Sequence, residues 1–362
     1  MIPAANRAAC LKALAVIIAV SIASMASAGT RVILAPYVAP ANPSSLYQDH
    51  YALPPPDQFY LKARFQRSWA GGAPFASQTS YNPSAYTGLG PLPPLNQRGP
   101  IGGSADQSTF QISGNEVGFL MRTWDGPHPC AGVSTATCAG FHKHTVFERN
   151  WTRFERIFTS RNPSRSLDIE ADINVAHFSQ WNAKTGGSPV GVVAGQLVFV
   201  IFLEDRNHRR IQYVVYAFDS NVLTNDGSEL DPRLEPIGPG DNGYYLTSSF
   251  KKRRIMKYTT VAADSAEFAT VPWGSYRHFK FRITQVNLGN AIRALNAKGG
   301  NLSTDVMNYG ITLVGINQEI AYRAKVDHGA IRYDDNGDEA IMGSSVRNIK
   351  VSESFDGSAR SR

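Results

Sequence analysis

Asp168, Glu170 and Asp172 occupy alternate positions in the run Leu167-Asp168-Ile169-Glu170-Ala171-Asp172-Ile173-Asn174-Val175. On a strand of period two the three carboxylates and Asn174 share one face, and Ile169, Ala171, Ile173 and Val175 share the other. Side chains two residues apart on a strand lie about 6.6 Å apart along it. Leaning can bring two carboxyl groups to the roughly 5–5.5 Å of a retaining glycosidase, or leave the wider inverting gap. The same face could hold a cation or accept from sugar hydroxyls. The plainer reading, and the favoured one, is the solvated outer face of an edge-exposed strand.

Aromatic residues on loops are the second source of chemistry, because sugar rings stack their C–H faces on Trp and Tyr. Trp181 sits in a polar stretch just past the carboxylates, and Trp273 and Tyr276 sit in the turn-rich Val271-Pro-Trp-Gly-Ser-Tyr276. These three are the candidate ligand contacts. Trp124 and Trp151 flank a short cysteine segment and read as packing residues. Asp334, Asn336 and Asp338 match the start of a calcium loop, but Glu339 stands where the EF-hand needs glycine and Ser345 where it needs glutamate. A structural calcium of another kind, or a tight Asn-Gly turn, is left for that segment, and no other cofactor is implied.

Cys130 and Cys138 form an even pair, which in an exported chain suggests one disulfide. Closing so short a loop is worth somewhat less than about 3 kcal/mol, so it trims a local hairpin. A metal site with His128, His142 and His144 is the sharper alternative, though the spacing matches no standard zinc pattern. Two basic clusters remain, Arg206-Asn-His-Arg-Arg210 and Lys251-Lys-Arg-Arg254. They read first as solvated hairpin tips that protect sheet edges, and second as contacts for anionic polymers. No G-x-S-x-G elbow, H-E-x-x-H helix or phosphate-cradling glycine loop occurs.

The elements that must position these residues are mostly strands. Runs at 167–175, 195–203 and 211–218 are followed by 244–250, 255–261, 278–286, 310–316, 320–326 and 346–351. Turn formers such as Asn225-Asp226-Gly227 and Asp241-Asn242-Gly243 separate several of them. The short, charged 346–351 run suits an edge or closing strand. One helix is expected around Leu288, Ala291, Ile292 and Leu295, ended by Gly299-Gly300. Short strands without intervening helices predict an all-β, antiparallel two-sheet sandwich of jelly-roll type.

Residues 29–105 hold 12 of the 21 prolines and read as an irregular segment with strand-like pieces at 30–34 and 59–65, which either lends an edge strand to the main domain or is a free linker. Residues 106–353 are the sandwich domain, and 354–362 a frayed tail. Residues 1–28 read as a secretory signal: Arg7 and Lys12, the apolar 13–23, then Ala26-Ser27-Ala28. Its apolar stretch is shorter than the about 20 residues a spanning helix needs. The expected product is secreted or periplasmic, with no membrane span. Net charge is +7, or +5 once Arg7 and Lys12 leave, which suits an acidic polysaccharide without requiring one. Nucleic acid is a poor match, since no recognition motif occurs.

Strands such as Gln196-Leu-Val-Phe-Val-Ile-Phe-Leu203 and Val346-Arg-Asn-Ile-Lys-Val351 resemble those of secreted concanavalin A-like and carbohydrate-binding jelly rolls, over roughly residues 110–352. Asp168-x-Glu170-x-Asp172 also resembles the E-x-D-x-E signature of laminarinase- and lichenase-type glycoside hydrolases. In that signature the first Glu is the nucleophile and the last the acid/base; here Asp stands at both ends and Glu in the middle. A carboxylate withdrawn by one bond length loses catalytic reach, since a misplacement near 1 Å can cost about 10²-fold. Secretion, sandwich rhythm and loop aromatics together predict instead a non-catalytic binder of polysaccharide or cell-surface glycan. A glycoside hydrolase or polysaccharide lyase using Asp168, Glu170 and Asp172 is the alternative, and a structural envelope protein the third reading.

Overall fold

The computed structural model describes residues 29–37, 57, 59–68, 77–79, 109–113, 115–122, 140–182, 186–188, 192–220, 243–249, 258–323, 325–327, 330–332 and 338–355. Its strands in chain order begin with β1 (Arg31–Leu34), β2 (Phe59–Ser68), β3 (Ser77–Thr79), β4 (Thr109–Ser113) and β5 (Glu116–Arg122). The long strands β6 (Gly140–Arg156), β7 (Arg165–Asn182), β8 (Val192–Asp205) and β9 (Arg210–Asp219) follow. Then come β10 (Gly243–Ser249), β11 (Thr260–Val261), β12 (Arg277–Thr284) and the helix α1 (Gln285–Ala297). The last are β13 (Tyr309–Arg323), β14 (Lys325–Asp327), β15 (Ala330–Arg332) and β16 (Asp338–Phe355).

Two sheets form a β-sandwich. The first runs β11-β12-β7-β16-β5-β4, with β1 also on β16, and the second runs β10-β9-β8-β13-β6-β2-β3. Pairing is antiparallel except between β9 and β10, which are parallel. The core lies between the sheets and follows the period-two rule. Ile169, Ala171, Ile173 and Val175 point inward from β7 and are essentially unexposed, as are Leu197, Phe199, Ile201 and Leu203 of β8. Phe199 and Phe281 meet edge-to-face across the sheets with centroids 5.3 Å apart.

Helix α1 closes one end of this core with Leu288, Ala291, Ile292 and Leu295. Its start is a reciprocal cap: the Asn287 N–H donates to Thr284 Oγ1 (3.0 Å), and the Thr284 N–H donates to Asn287 Oδ1 (3.1 Å). Thr284→Ala removes the acceptor for a first-turn N–H and is expected to cost about 1 kcal/mol in urea unfolding.

Two strand readings change. The 310–316 and 320–326 runs, separated in sequence by Asn317-Gln318-Glu319, belong largely to the single strand β13. Gln318 breaks the apolar pattern yet points inward, where its Nε2 donates to the Met342 carbonyl (3.2 Å) and its Oε1 accepts from Ser344 Oγ. A buried amide with both ends satisfied is tolerated in a core. The 346–351 run, expected at an edge, lies inside β16, between β7 on one side and β5 and β1 on the other.

β1 is locked onto β16 by the side chain of Glu353, which is fully buried. Its carboxylate accepts from Arg31 Nε (3.0 Å), Arg165 Nη1 (2.8 Å), the Thr159 N–H (2.8 Å) and Thr159 Oγ1 (3.0 Å). Arg31 also reaches Glu155 Oε1 at 2.7 Å.

Candidate binding face on the acidic strand

The alternation that buries Ile169, Ala171 and Ile173 turns Asp168, Glu170 and Asp172 to the outer face of the first sheet. β7 is an interior strand, flanked by β12 and β16, and both neighbours answer it with cations. Register sets Arg282, Lys280 and His278 of β12 opposite Asp168, Glu170 and Asp172. On the other side Lys350 pairs with Glu170 and Arg347 with Asp172. An edge-exposed strand would leave the carboxylates in water, whereas here they are enclosed: Asp168 is 0% exposed and Glu170 9%.

The contacts form a continuous lattice. Asp168 accepts from Ser166 Oγ (2.7 Å) and lies within reach of Arg282 Nε (3.2 Å) and Lys280 Nζ (3.5 Å). Glu170 meets Lys350 Nζ at 2.8 Å and Lys280 Nζ at 3.5 Å. His278 bridges two rungs, with Nδ1 3.0 Å from Asp172 and Nε2 3.6 Å from Glu170. Asp172 also accepts from Asn348 Nδ2 (2.7 Å), beside Arg347 Nε at 3.5 Å.

The Arg347–Asp172 and Lys350–Glu170 pairs depend on a bulge. Arg347 and Lys350 are three residues apart, so a regular strand would send them to opposite faces. β16 slips register between them, with Asn348 at φ 56°, and Ile349 drops into the core at 1% exposure. Asparagine tolerates this left-handed backbone better than most residues.

Burial works to raise the Glu170 pKa, but the hydrogen bond from Lys350 and the charges of Lys280, Lys350 and His278 outweigh it and hold the group below its ordinary range. Asp172 behaves alike, its burial overcome by hydrogen bonds from Asn348 and His278 and by the charges of His278 and Arg347. A general acid needs the reverse, a carboxyl kept protonated near working pH. Glu170 and Asp172 are built to stay ionised and to accept.

Tyr276 stands at the Asp172 end of this lattice. Its hydroxyl lies 2.7 Å from Ser345 Oγ, the Arg347 guanidinium covers its ring at 3.8 Å, and burial pushes the phenol well above its ordinary pKa. The turn before it is pinned to β7, because the N–H groups of Trp273 and Gly274 both donate to the Val175 carbonyl (3.0 and 3.2 Å). Gly274, at φ 68°, makes that turn. Trp273 is partly buried, its ring centroid 5.5 Å from Phe279 and 6.0 Å from Phe218, with the exposed Arg277 5.5 Å over the ring. It thus roots the turn in the core and leaves a margin at the surface.

Trp181, expected just past the strand, lies within β7 and pairs with Glu339 of β16; its side chain is outside the described residues. Cys130, Cys138, Asp334 and Asn336 also fall outside them, and Asp338 opens β16 with its side chain undescribed. Among the described residues no group of three or more His, Cys, Asp or Glu side chains is placed to hold a metal ion, and no helix is long and apolar enough to cross a membrane. The pairing of Lys280, Arg282, Arg347, Lys350 and His278 with the acidic strand went unread in the sequence. A usable signal existed in His278-Phe-Lys-Phe-Arg282, whose polar set complements the polar set of β7.

No family model matches the chain, and no curated protein matches it. The solved structures to which it is similar include the family 11 xylanase from Neocallimastix patriciarum, at 8% identity and a TM-score of 0.25, covering 68% of this chain and 96% of that one. They also include an endo-1,4-beta-xylanase from Trichoderma reesei, at 10% identity and a TM-score of 0.20, covering 67% and 93%. At these TM-scores the likeness carries no functional weight.

Proposed function

We propose that this chain is an exported, non-catalytic β-sandwich that binds polysaccharide on the outer face of its first sheet. The observation that carries the reading is the lattice around Asp172. An acceptor held below its ordinary pKa, the donors Arg347, His278 and Asn348, and the anchored Tyr276 share one rigid, half-exposed patch. Sugar hydroxyls are recognised by such fixed donors and acceptors beside an aromatic ring. The lowered pKa values of Glu170 and Asp172 favour binding over acid-catalysed cleavage, since neither group is poised to deliver a proton.

Glycan-array and pull-down measurements with β-glucans and other plant and microbial polysaccharides test this. Tyr276→Ala and Asp172→Asn are each expected to weaken binding on the order of tenfold or more, as central interface residues do. Wild type and both variants binding alike, or no glycan retained at all, would sink the assignment. Reducing-end release from the same polysaccharides should be absent; release that Glu170→Gln abolishes would make the chain a hydrolase.

A further inference from the structure

A second surface lies at the end of the sandwich where β6 stops, β8 turns into β9 and α1 terminates. Three contacts make it one rigid piece. Asp205 accepts from the N–H groups of Asn207 (2.8 Å) and Arg209 (3.0 Å) through one oxygen, and from the Ser303 N–H (3.0 Å) through the other. Arg209 donates to the Gly300 and Asn301 carbonyls just past α1. Register then ties β6 to the turn: Arg156 and Glu204 both pair with Gly310 of β13, and Arg210 pairs with Glu204.

The cations and acids here are unevenly placed. Arg153, Arg156, Arg161, Arg206, Arg293 and Lys298 are all exposed. The acids that reach the surface nearby are already engaged: Asp57 by Arg149 (3.9 Å), Glu155 by Arg31 (2.7 Å) and Asp305 by Arg161 (2.7 Å). Glu204 is buried beneath Arg210 (2.8 Å) and His208 (2.7 Å). The side chains of Arg153, Arg156 and Arg206 meet no carboxylate among the described residues. The ring of Phe154, 40% exposed, lies over Gly310, where an added Cβ would come within 3.0 Å of it.

We infer that this end binds a linear anionic polysaccharide, one carrying carboxylates or sulfates along its length. Guanidinium forks pair with both groups in bidentate geometry. Arg156 and Arg210 lie on one row three strand spacings apart, about 14 Å, so a chain laid across the strands meets successive cations. Phe154 offers a large apolar surface beside that row, suited to the C–H face of a sugar ring. The inference rests on the polysaccharide-binding reading for its choice of polymer, and it uses none of the residues of the Asp172 patch.

The test compares wild type with the triple variant Arg153→Gln, Arg156→Gln, Arg206→Gln against polygalacturonate, dextran sulfate, a neutral β-glucan and duplex DNA. Wild type is expected to bind polygalacturonate or dextran sulfate, weakening as salt rises from low to physiological. The triple variant, with an unchanged melting curve, should bind them on the order of tenfold more weakly, the scale on which a charged patch acts. Unchanged polyanion binding in the variant, no polyanion binding in wild type, or tighter binding of DNA than of either polysaccharide would each overturn the inference. Tyr276→Ala separates the two surfaces: if it abolishes glucan binding while the triple variant leaves polyanion binding intact, the Asp172 patch stands and this one falls. Polyanion binding lost only in the triple variant, with no glucan bound by any form, supports this surface and removes the Asp172 patch.

Discussion

Phe281→Ala is expected to destabilise the fold by about 4 kcal/mol, the range for removing a buried aromatic side chain. Phe281 is fully buried and is the first-sheet half of the edge-to-face pair with Phe199. The loss combines a transfer term, the cavity left behind, and the aromatic contact itself, worth about 0.5–1.5 kcal/mol. The strand itself cannot shift along its sheet to relieve the gap, because β12 is held in register against β7 over eight residue pairs from Arg277↔Ile173 to Thr284↔Ser166. Urea titration followed by tryptophan fluorescence measures it. A loss under about 1 kcal/mol would mean that this part of the core is loosely packed.

Glu353→Ala is expected to cost about 3 kcal/mol, near the lower end for removing one member of a buried ion pair. Arg31 and Arg165 keep 33% and 23% of their side-chain exposure, so water recovers part of the stranded charge. The effect has a pH signature. Burial works to raise the Glu353 pKa, but the two Thr159 hydrogen bonds and the Arg165 charge bring it below its ordinary value. A carboxyl depressed in the folded state contributes stability that is fully present above its unfolded pKa, about 4.3, and is lost as pH falls through the folded value. Wild type should therefore converge on Glu353→Ala as the solution is acidified below that point, while the two stay separated at neutral pH. Parallel melting curves across the acidic range would show that the carboxylate is not the source of the difference.

How far the sequence disclosed these features depended on whether the period-two rule survived locally. It held on β7 and β12, where Asp168-Glu170-Asp172 and His278-Lys280-Arg282 each alternate with apolar residues, so the inner and outer faces were readable from either strand alone. It failed at Arg347 and Lys350, because the Asn348 bulge adds a residue and returns both cations to one face. It failed again at Gln318, a polar residue on the core side whose partners come from β16, some two dozen residues away in the chain. The sandwich architecture followed from strand rhythm and turn chemistry. The nature of the acidic face did not, because carboxylates on an open strand and carboxylates enclosed by two basic strands have the same spacing, and only the pairing of β7 with β12 and β16 distinguishes them.

The place of β16 bears on how the molecule assembles. Every strand it joins precedes it: β1, β5 and β7 all pair with residues of the last described strand, and the Arg31–Glu353 contact spans 322 residues. During synthesis β7 and β5 must wait with unsatisfied edges until β16 emerges, and the sheet then closes by inserting a strand in its middle. Closing so long a loop carries a large entropic barrier before any contact rewards it, which places this chain among slow, high-contact-order folders. Until that insertion the waiting edges are open to other chains. Yield on refolding should therefore fall with protein concentration, even where the finished sandwich is stable.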